Sequence, residues 1–170
     1  MDETTKAVET TTSADQISKL IRHHVYGSMA IGLVPLPMVD FLGITGVQLN
    51  MIRKMAKYYD IPFSKDVTKN LILSLIGGAL PVSASYPFAS SVKLIPIVGQ
   101  SVGAVSMPII AGASTFAVGK VFYRHFGSGG TFLTFDPEKA RAYYEEMFQK
   151  GKNIVKGMKA EPAPATATAS

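Results

Sequence analysis

The chain contains no cysteine. This excludes disulfides, thiolate metal sites and cysteine nucleophiles, and it leaves the compartment open because such an absence suits any redox environment. Charge is scarce too: 17% of the 170 residues are charged and 47% hydrophobic, where a globular domain in water carries roughly 25% charged residues. The shortage is local. Fifty residues from Asn70 to Gly119 hold one side chain charged at neutral pH, Lys93, and between Val25 and Ile52 there is only Asp40.

Motifs that carry chemistry are scarce as well. His23, His24 and His125 are the three histidines, too few and wrongly spaced for a metal site. His23 and His24 precede an apolar segment and read as interfacial polar residues rather than ligands. The acids form no evident pair. A phosphate loop needs four residues between its glycines and a hydroxyl after its lysine; here six separate Gly112 from Gly119, and Val121 follows Lys120. Gly127 to Gly130 reads as a plain turn rather than an anion nest. We therefore expect no catalytic residue, no cofactor and no metal. The net charge of +5 comes from scattered basic residues, so no nucleic-acid interface is expected.

What is present points to an all-α chain of one domain: two helical hairpins plus a C-terminal amphipathic helix, embedded in a membrane. Residues 1–13 read as a disordered polar arm and 159–170, built of alanine, threonine and proline, as a disordered tail. The helical domain spans 14–158. Its first hairpin covers 15–59, with Asp15 as cap of a helix striped by Ile17, Leu20, Ile21, Val25 and Met29, and a second helix from about Val39 to Tyr59. The second, hydrophobic hairpin covers 65–126 and starts behind Ser64 as N-cap and Asp66 as first-turn acid. Thr131 to Phe135 reads as a short extended stretch. Asp136-Pro137 restarts a helix over 137–158, with Ala140, Tyr144, Met147, Gly151, Ile154 and Met158 inward and Arg141, Glu145, Gln149, Lys152 and Lys156 outward.

The uncharged middle is long enough to span. A hydrocarbon core of about 30 Å needs roughly 20 apolar helical residues, and Asn70 to Val92 and Leu94 to Gly119 both reach that length. The Leu, Ile, Phe and Val residues of the second segment give about −3 to −6 kcal/mol toward insertion, which Pro96, Pro108 and Gln100 oppose. Arg53, Lys54, Lys57, Lys65 and Lys69 flank the pair on one side and Lys120 and Arg124 on the other, which by the positive-inside rule predicts both termini in the cytoplasm. The start of the chain, acidic and rich in threonine, lacks the order of a signal peptide and is expected to remain in the cytosol. Gly77, Gly78 and Gly112, with the G-x-x-x-G pair Gly99 and Gly103, allow close helix approach. Asp40, Gln48 and Gln100 are the candidate functional polar residues of the apolar segments; Asp40 also reads as a helix-start residue beside Pro37. Leu33-Val34-Pro35-Leu36-Pro37 and Leu94-Ile95-Pro96-Ile97-Val98-Gly99 are similar turns that hint at an internal repeat.

These turns belong to a wider resemblance. Val34-Pro35-Leu36-Pro37-Met38-Val39-Asp40, Gln48 to Ile61, Leu94 to Gly99, Thr115 to Gly119 and Phe126 to Gly130, in that order, resemble the uncharacterised YcjF-like bacterial membrane domain that occurs fused to, or encoded beside, Era-like GTPases. The resemblance spans about 31–135. It implies a helical, membrane-associated domain without a known activity and, since no GTPase domain lies in this sequence, a separate GTPase as partner. The expected function is a non-catalytic anchor or scaffold at the cytoplasmic membrane, with membrane lipid, a cytosolic protein and a second copy of the chain as partners. An oligomeric channel with Asp40, Gln48 and Gln100 along a polar path is the first alternative, and a soluble helical partner-binding module the second.

Overall fold

The computed structural model describes residues 3–33, 37–79 and 100–158, with side chains described over 13–33, 42–78 and 107–158. Five helices account for the described elements: α1 (Glu3–Ile31), α2 (Pro37–Tyr58), α3 (Lys65–Ala79), α4 (Gln100–Gly127) and α5 (Pro137–Met158). No strand occurs among the described residues.

The first helix begins well before its expected cap. Residues 1–26 contain neither glycine nor proline, so nothing interrupts the helix, and α1 takes in most of the stretch expected to be a disordered arm. Asp15 therefore lies inside the helix, where it pairs with Lys19 at 2.7 Å instead of capping. α2 ends in a Schellman turn: Asp60 adopts φ 54°, and the Ile61 N–H donates to the Ala56 carbonyl at 2.8 Å. The same device closes α4, with Gly129 at φ 84° and the Gly130 N–H donating to the His125 carbonyl at 2.9 Å. α3 starts at Lys65 as expected, and the Ser64 carbonyl accepts from both the N–H and the hydroxyl of Thr68. Asp136 caps α5, its Oδ1 accepting from the amides of Glu138 and Lys139. Those amide bonds, that of Lys139 foremost, hold its carboxyl below the usual range.

α4 is the central helix, packed against α5, α1 and α2. Contacts fix the directions: Gly119 faces Ile21 and Gly112 faces Met29, so α1 runs antiparallel to α4. Gln48 meets Ser114 while Tyr59 meets Phe126, so α2 runs parallel to α4. Gly112 also faces Val155, and Arg124 lies over Tyr143, so α5 runs antiparallel. The core comprises Ile17, Ile21 and Val25 of α1, Met51, Ile52 and Met55 of α2, Ile72 and Leu75 of α3, Val118 and Phe122 of α4, and Met147 and Val155 of α5.

Several expectations are corrected by this packing. α1 and α2 do pair, but α3 lies mainly on α5 and α2 instead of running along α4, so the second hairpin does not form a packed pair in the described residues. Thr131 to Phe135 is a turn, closed by the Thr131 N–H donating to Thr134 Oγ1, with Phe132 and Phe135 buried and Leu133 exposed. On α5 the inward position expected of Ile154 belongs to Val155, and Arg141, expected to point outward, is half-buried against Gly78. Among the described residues no helix is long and apolar enough to cross a membrane. The described part of the second expected span, 107–119, is enclosed largely by protein: Ala111 to Thr115 and Ala117 to Gly119 are buried between α1, α2 and α5. A helix without charge is what a central helix of a bundle requires, just as it is what lipid requires. The links 34–36 and 80–99, with Lys93, Pro96 and the repeated turns, lie outside the described residues, as does the tail 159–170.

Candidate functional site

Four helices place polar side chains on one buried spot. Gln48, 1% exposed, sits at the middle of α2 and directs its amide Nε2–H2 toward Ser114 Oγ at 3.2 Å and Thr115 Oγ1 at 3.3 Å on α4. Ser28 of α1 shares a hydrogen bond of 2.7 Å with Thr115 Oγ1, and Tyr144 of α5 shares one of 3.1 Å with Ser114 Oγ. Burial pushes the Tyr144 hydroxyl up in pKa, and its bond to Ser114 opposes this. Gln48 Oε1 is buried with no hydrogen-bond partner. Such clusters fix helix register, because any slip leaves several polar groups unpaired at about 1–3 kcal/mol each.

One turn away, His24 is buried and its Nδ1–H donates to the Leu20 carbonyl at 2.8 Å, leaving Nε2 to accept from Asn50 Nδ2 at 3.4 Å. Burial lowers its pKa below the usual histidine value; the Leu20 carbonyl opposes this, and the neighbouring Lys54 and His23 reinforce it. The adjacent pair thus splits: His23 is exposed and His24 is a core residue.

The ends of the bundle differ. At one end, where α1 finishes and α2 begins, Gly32 touches the backbone of Pro108 and Gly43 touches Ile31. There Leu33 (64%), Leu42 (65%), Met107 (39%) and Ile110 (44%) are exposed, and the described residues 29–33, 42–47 and 107–112 contain no charge. At the other end the turns after α2 and α4 fold aromatic rings over the core. Phe122 stacks on Phe135 at 4.5 Å and 5°, Phe126 meets Phe132 at 5.2 Å edge to face, and Phe63 adds to Phe132 at 6.0 Å. Tyr59 joins them half-buried; burial foremost, with Tyr123 and Tyr58 beside it, pushes its pKa up to about 12.

The basic residues of α2, the start of α3 and the end of α4 gather toward this second end, whereas Lys152 and Lys156 of α5 flank Val155, which meets Gly112 toward the first. Asn50, Arg53, Lys54 and Lys57 of α2, with Asp60 and Phe63 of the following turn, line a surface concavity of about 560 Å³. Arg53, Lys54, Lys57, Lys65 and Lys69 are all exposed. Arg124 is exposed over the Tyr143 ring at 4.6 Å, and Lys120 is half-buried with its Nζ 5.6 Å from the Phe116 ring and 5.9 Å from that of Tyr123.

Of the polar residues singled out from the sequence, Gln48 is in the buried cluster; Asp40 and Gln100 lie in α2 and α4, but their side chains fall outside the described residues. Among the glycines, Gly112 is tightly enclosed, a Cβ there falling 2.8 Å from Met29 and 3.0 Å from Val155. At Gly78 the Arg141 guanidinium fills the space a side chain would need, whereas Gly77 faces open space. Gly103 lies in α4 with surroundings outside the described residues, and so does Gly99 itself. Sequence reasoning missed Ser28, Ser114, Thr115 and Tyr144 as a cluster. Their only signal was hydroxyls at helical spacing among alanines and glycines.

The relative named magnetosome membrane protein 22, from Magnetospirillum gryphiswaldense, is 39% identical over 142 residues, which cover 83% of this chain and 73% of that protein. No solved structure matches the chain. The model of the family described as a domain of unknown function, DUF697, matches residues 2–153, a span running from the start of α1 almost to the end of α5, and the chain belongs to that family.

Proposed function

We propose that this chain is a non-catalytic module that holds the apolar end of a helical bundle against the cytoplasmic membrane and offers its basic end to a cytosolic partner, as an anchor or scaffold. The observation that carries this reading is the polarity of the bundle: Leu33, Leu42, Met107 and Ile110 are exposed at one end, and Arg53, Lys54, Lys57, Lys65 and Lys69 stand toward the other. Leu42 and Arg53 lie about 16 Å apart along α2 at 1.5 Å per residue, so apolar contact with lipid leaves these five basic residues on the aqueous side. The name of the relative from Magnetospirillum gryphiswaldense, a membrane protein, supports the same reading.

In this reading both termini lie in the cytoplasm, which the charge bias favours, and the partner proposed is a separate protein, an Era-like GTPase being the class implied by the resemblance. Transport has less support, since the Gln48 amide is engaged with Ser114 and Thr115 inside the bundle. The test is flotation with vesicles of phosphatidylglycerol and phosphatidylcholine, joined to carbonate extraction of cell membranes. The chain should float with the vesicles, and Leu33→Asp with Met107→Asp should cut the floated fraction at least tenfold. Protein that stays in the aqueous layer in every arm refutes the reading. Capture of a GTPase from gently solubilised membranes should be lost on reversing the charges of Arg53, Lys54 and Lys57, with flotation retained.

A further inference from the structure

A groove of about 330 Å³ opens between α1, α4 and α5. It is separate from both the buried cluster and the basic concavity. Its floor is apolar, formed by Ile21 and Val25 of α1, Phe116 of α4, and Ile154 and Met158 of α5. Its polar lining is Ser18, Arg22 and Lys120, and no acid lines it. Helix directions sort these residues along the groove. α1 runs from the aromatic end toward the apolar end and α4 runs the opposite way, as the pairs Ile21 with Gly119 and Met29 with Gly112 show. Ser18, Arg22 and Lys120 therefore lie toward the aromatic end. Val25, Phe116 and the last turn of α5 lie toward the apolar end.

The groove is thus cationic at one extremity and hydrocarbon-like at the other. Lys120 is held in place by the rings of Phe116 and Tyr123, 5.6 and 5.9 Å from its Nζ. Ile154 is 44% exposed here although its α5 neighbours Gly151 and Val155 are buried. The volume is at the lower limit of the roughly 300–1,000 Å³ typical of small-molecule sites, which suits one hydrocarbon chain and not a two-chain lipid. Gly157, another lining residue, has nothing within 4 Å of where its Cβ would stand, so the groove is kept open at that point by the absence of a side chain.

We infer that this groove binds a single-chain anionic amphiphile of the long-chain fatty acid class, its carboxylate at Lys120 and its chain along Val25, Phe116, Ile154 and Met158. This goes beyond the membrane reading and stands without it, because the ligand is taken up in water as a monomer.

The experiment is a titration of the full chain in vesicle-free buffer with the fluorescent fatty acid cis-parinaric acid, followed by competition with palmitate and with methyl palmitate. Saturable binding displaced by palmitate, and at least tenfold less readily by the uncharged ester, is the expected result. Gly157→Phe fills the groove from an uncrowded position and should weaken binding at least tenfold with an unchanged melting temperature. Lys120→Gln should weaken it severalfold and narrow the gap between acid and ester. Leu33→Asp should bind as the native chain does even where it fails to float, which separates failure of this inference from failure of the membrane reading. Absence of saturable binding, or binding indifferent to both groove variants, overturns the assignment. So does a dimer that dissociates on Gly157→Phe with no fatty acid bound, which would give the groove to a second copy of the chain.

Discussion

The two ends of this bundle solve the same problem differently. Where α2 and α4 finish, Schellman turns at Asp60 and Gly129 redirect the chain so that Phe63, Phe132 and Phe135 close over Phe122 and Phe126. Where α1 finishes and α2 begins, the described residues include no such lid, and Leu33, Leu42, Met107 and Ile110 face outward. A chain can cover the end of its own core with a few aromatic residues on tight turns; here one end is covered so, and the other presents hydrocarbon. The contrast separates residues that hold the bundle together from residues that act outside it.

The largest effect that would test the contrast belongs to the closed end. Phe122 is fully buried and stacked on Phe135, so Phe122→Ala should lower unfolding free energy by about 3–5 kcal/mol in urea titrations; a loss below about 1 kcal/mol would mean the lid is ornamental to the core. Next come the glycines. Gly112→Leu forces atoms against Met29 and Val155 and should cost about 1–3 kcal/mol, whereas Gly77→Ala, facing open space in α3, should gain about 0.5–1 kcal/mol by restricting the unfolded chain. The same denaturation series compares the two directly.

Acid should act through the middle of the bundle. Burial depresses the pKa of His24 in the folded state, so below the unfolded value of about 6.5 the unfolded chain binds more protons than the folded one. Stability is then fully present above that value and declines as the pH falls toward the folded pKa. Melting temperatures measured from pH 7.5 down to 5.5 should fall, and His24→Gln should flatten that slope. The smallest effect on folding is expected at the open end. Leu33→Asp and Ile110→Asp alter exposed positions and should change unfolding free energy by no more than about 0.5 kcal/mol, while the flotation assay responds strongly. A large stability loss there would show that these side chains are covered within the protein itself.

Much of the helical order was legible in the sequence because its boundaries are written in local chemistry. Asp136-Pro137 opens α5, Lys65 opens α3 and the glycines at 127–130 close α4, each through backbone groups that a neighbouring residue must satisfy. The start of α1 was missed because threonine and glutamate in a continuous run say little when no breaker stands among them. The environment of residues 107–119 was misread for a deeper reason. A helix enclosed by three others and a helix enclosed by lipid show the same uncharged composition, and only contacts such as Ser28 with Thr115 and Gln48 with Ser114 reveal protein on the outside. Gln48 stood out as an amide in an apolar run, but its partners, two small hydroxyls on α4, 66 and 67 residues distant in sequence, carried no pattern that spacing could detect.

The contact between Gly151 and Ala113 sets where this chain can be cut. A Cβ at position 151 would stand 3.0 Å from the Ala113 Cα, so α5 lies directly on the backbone of α4 and covers a strip that no side chain of α4 could shield. A fragment ending before Pro137 would bare Ala113, Ser114 and Phe116 together and should aggregate instead of folding. The smallest unit suited to expression, crystallisation or fusion to a reporter therefore extends through Met158.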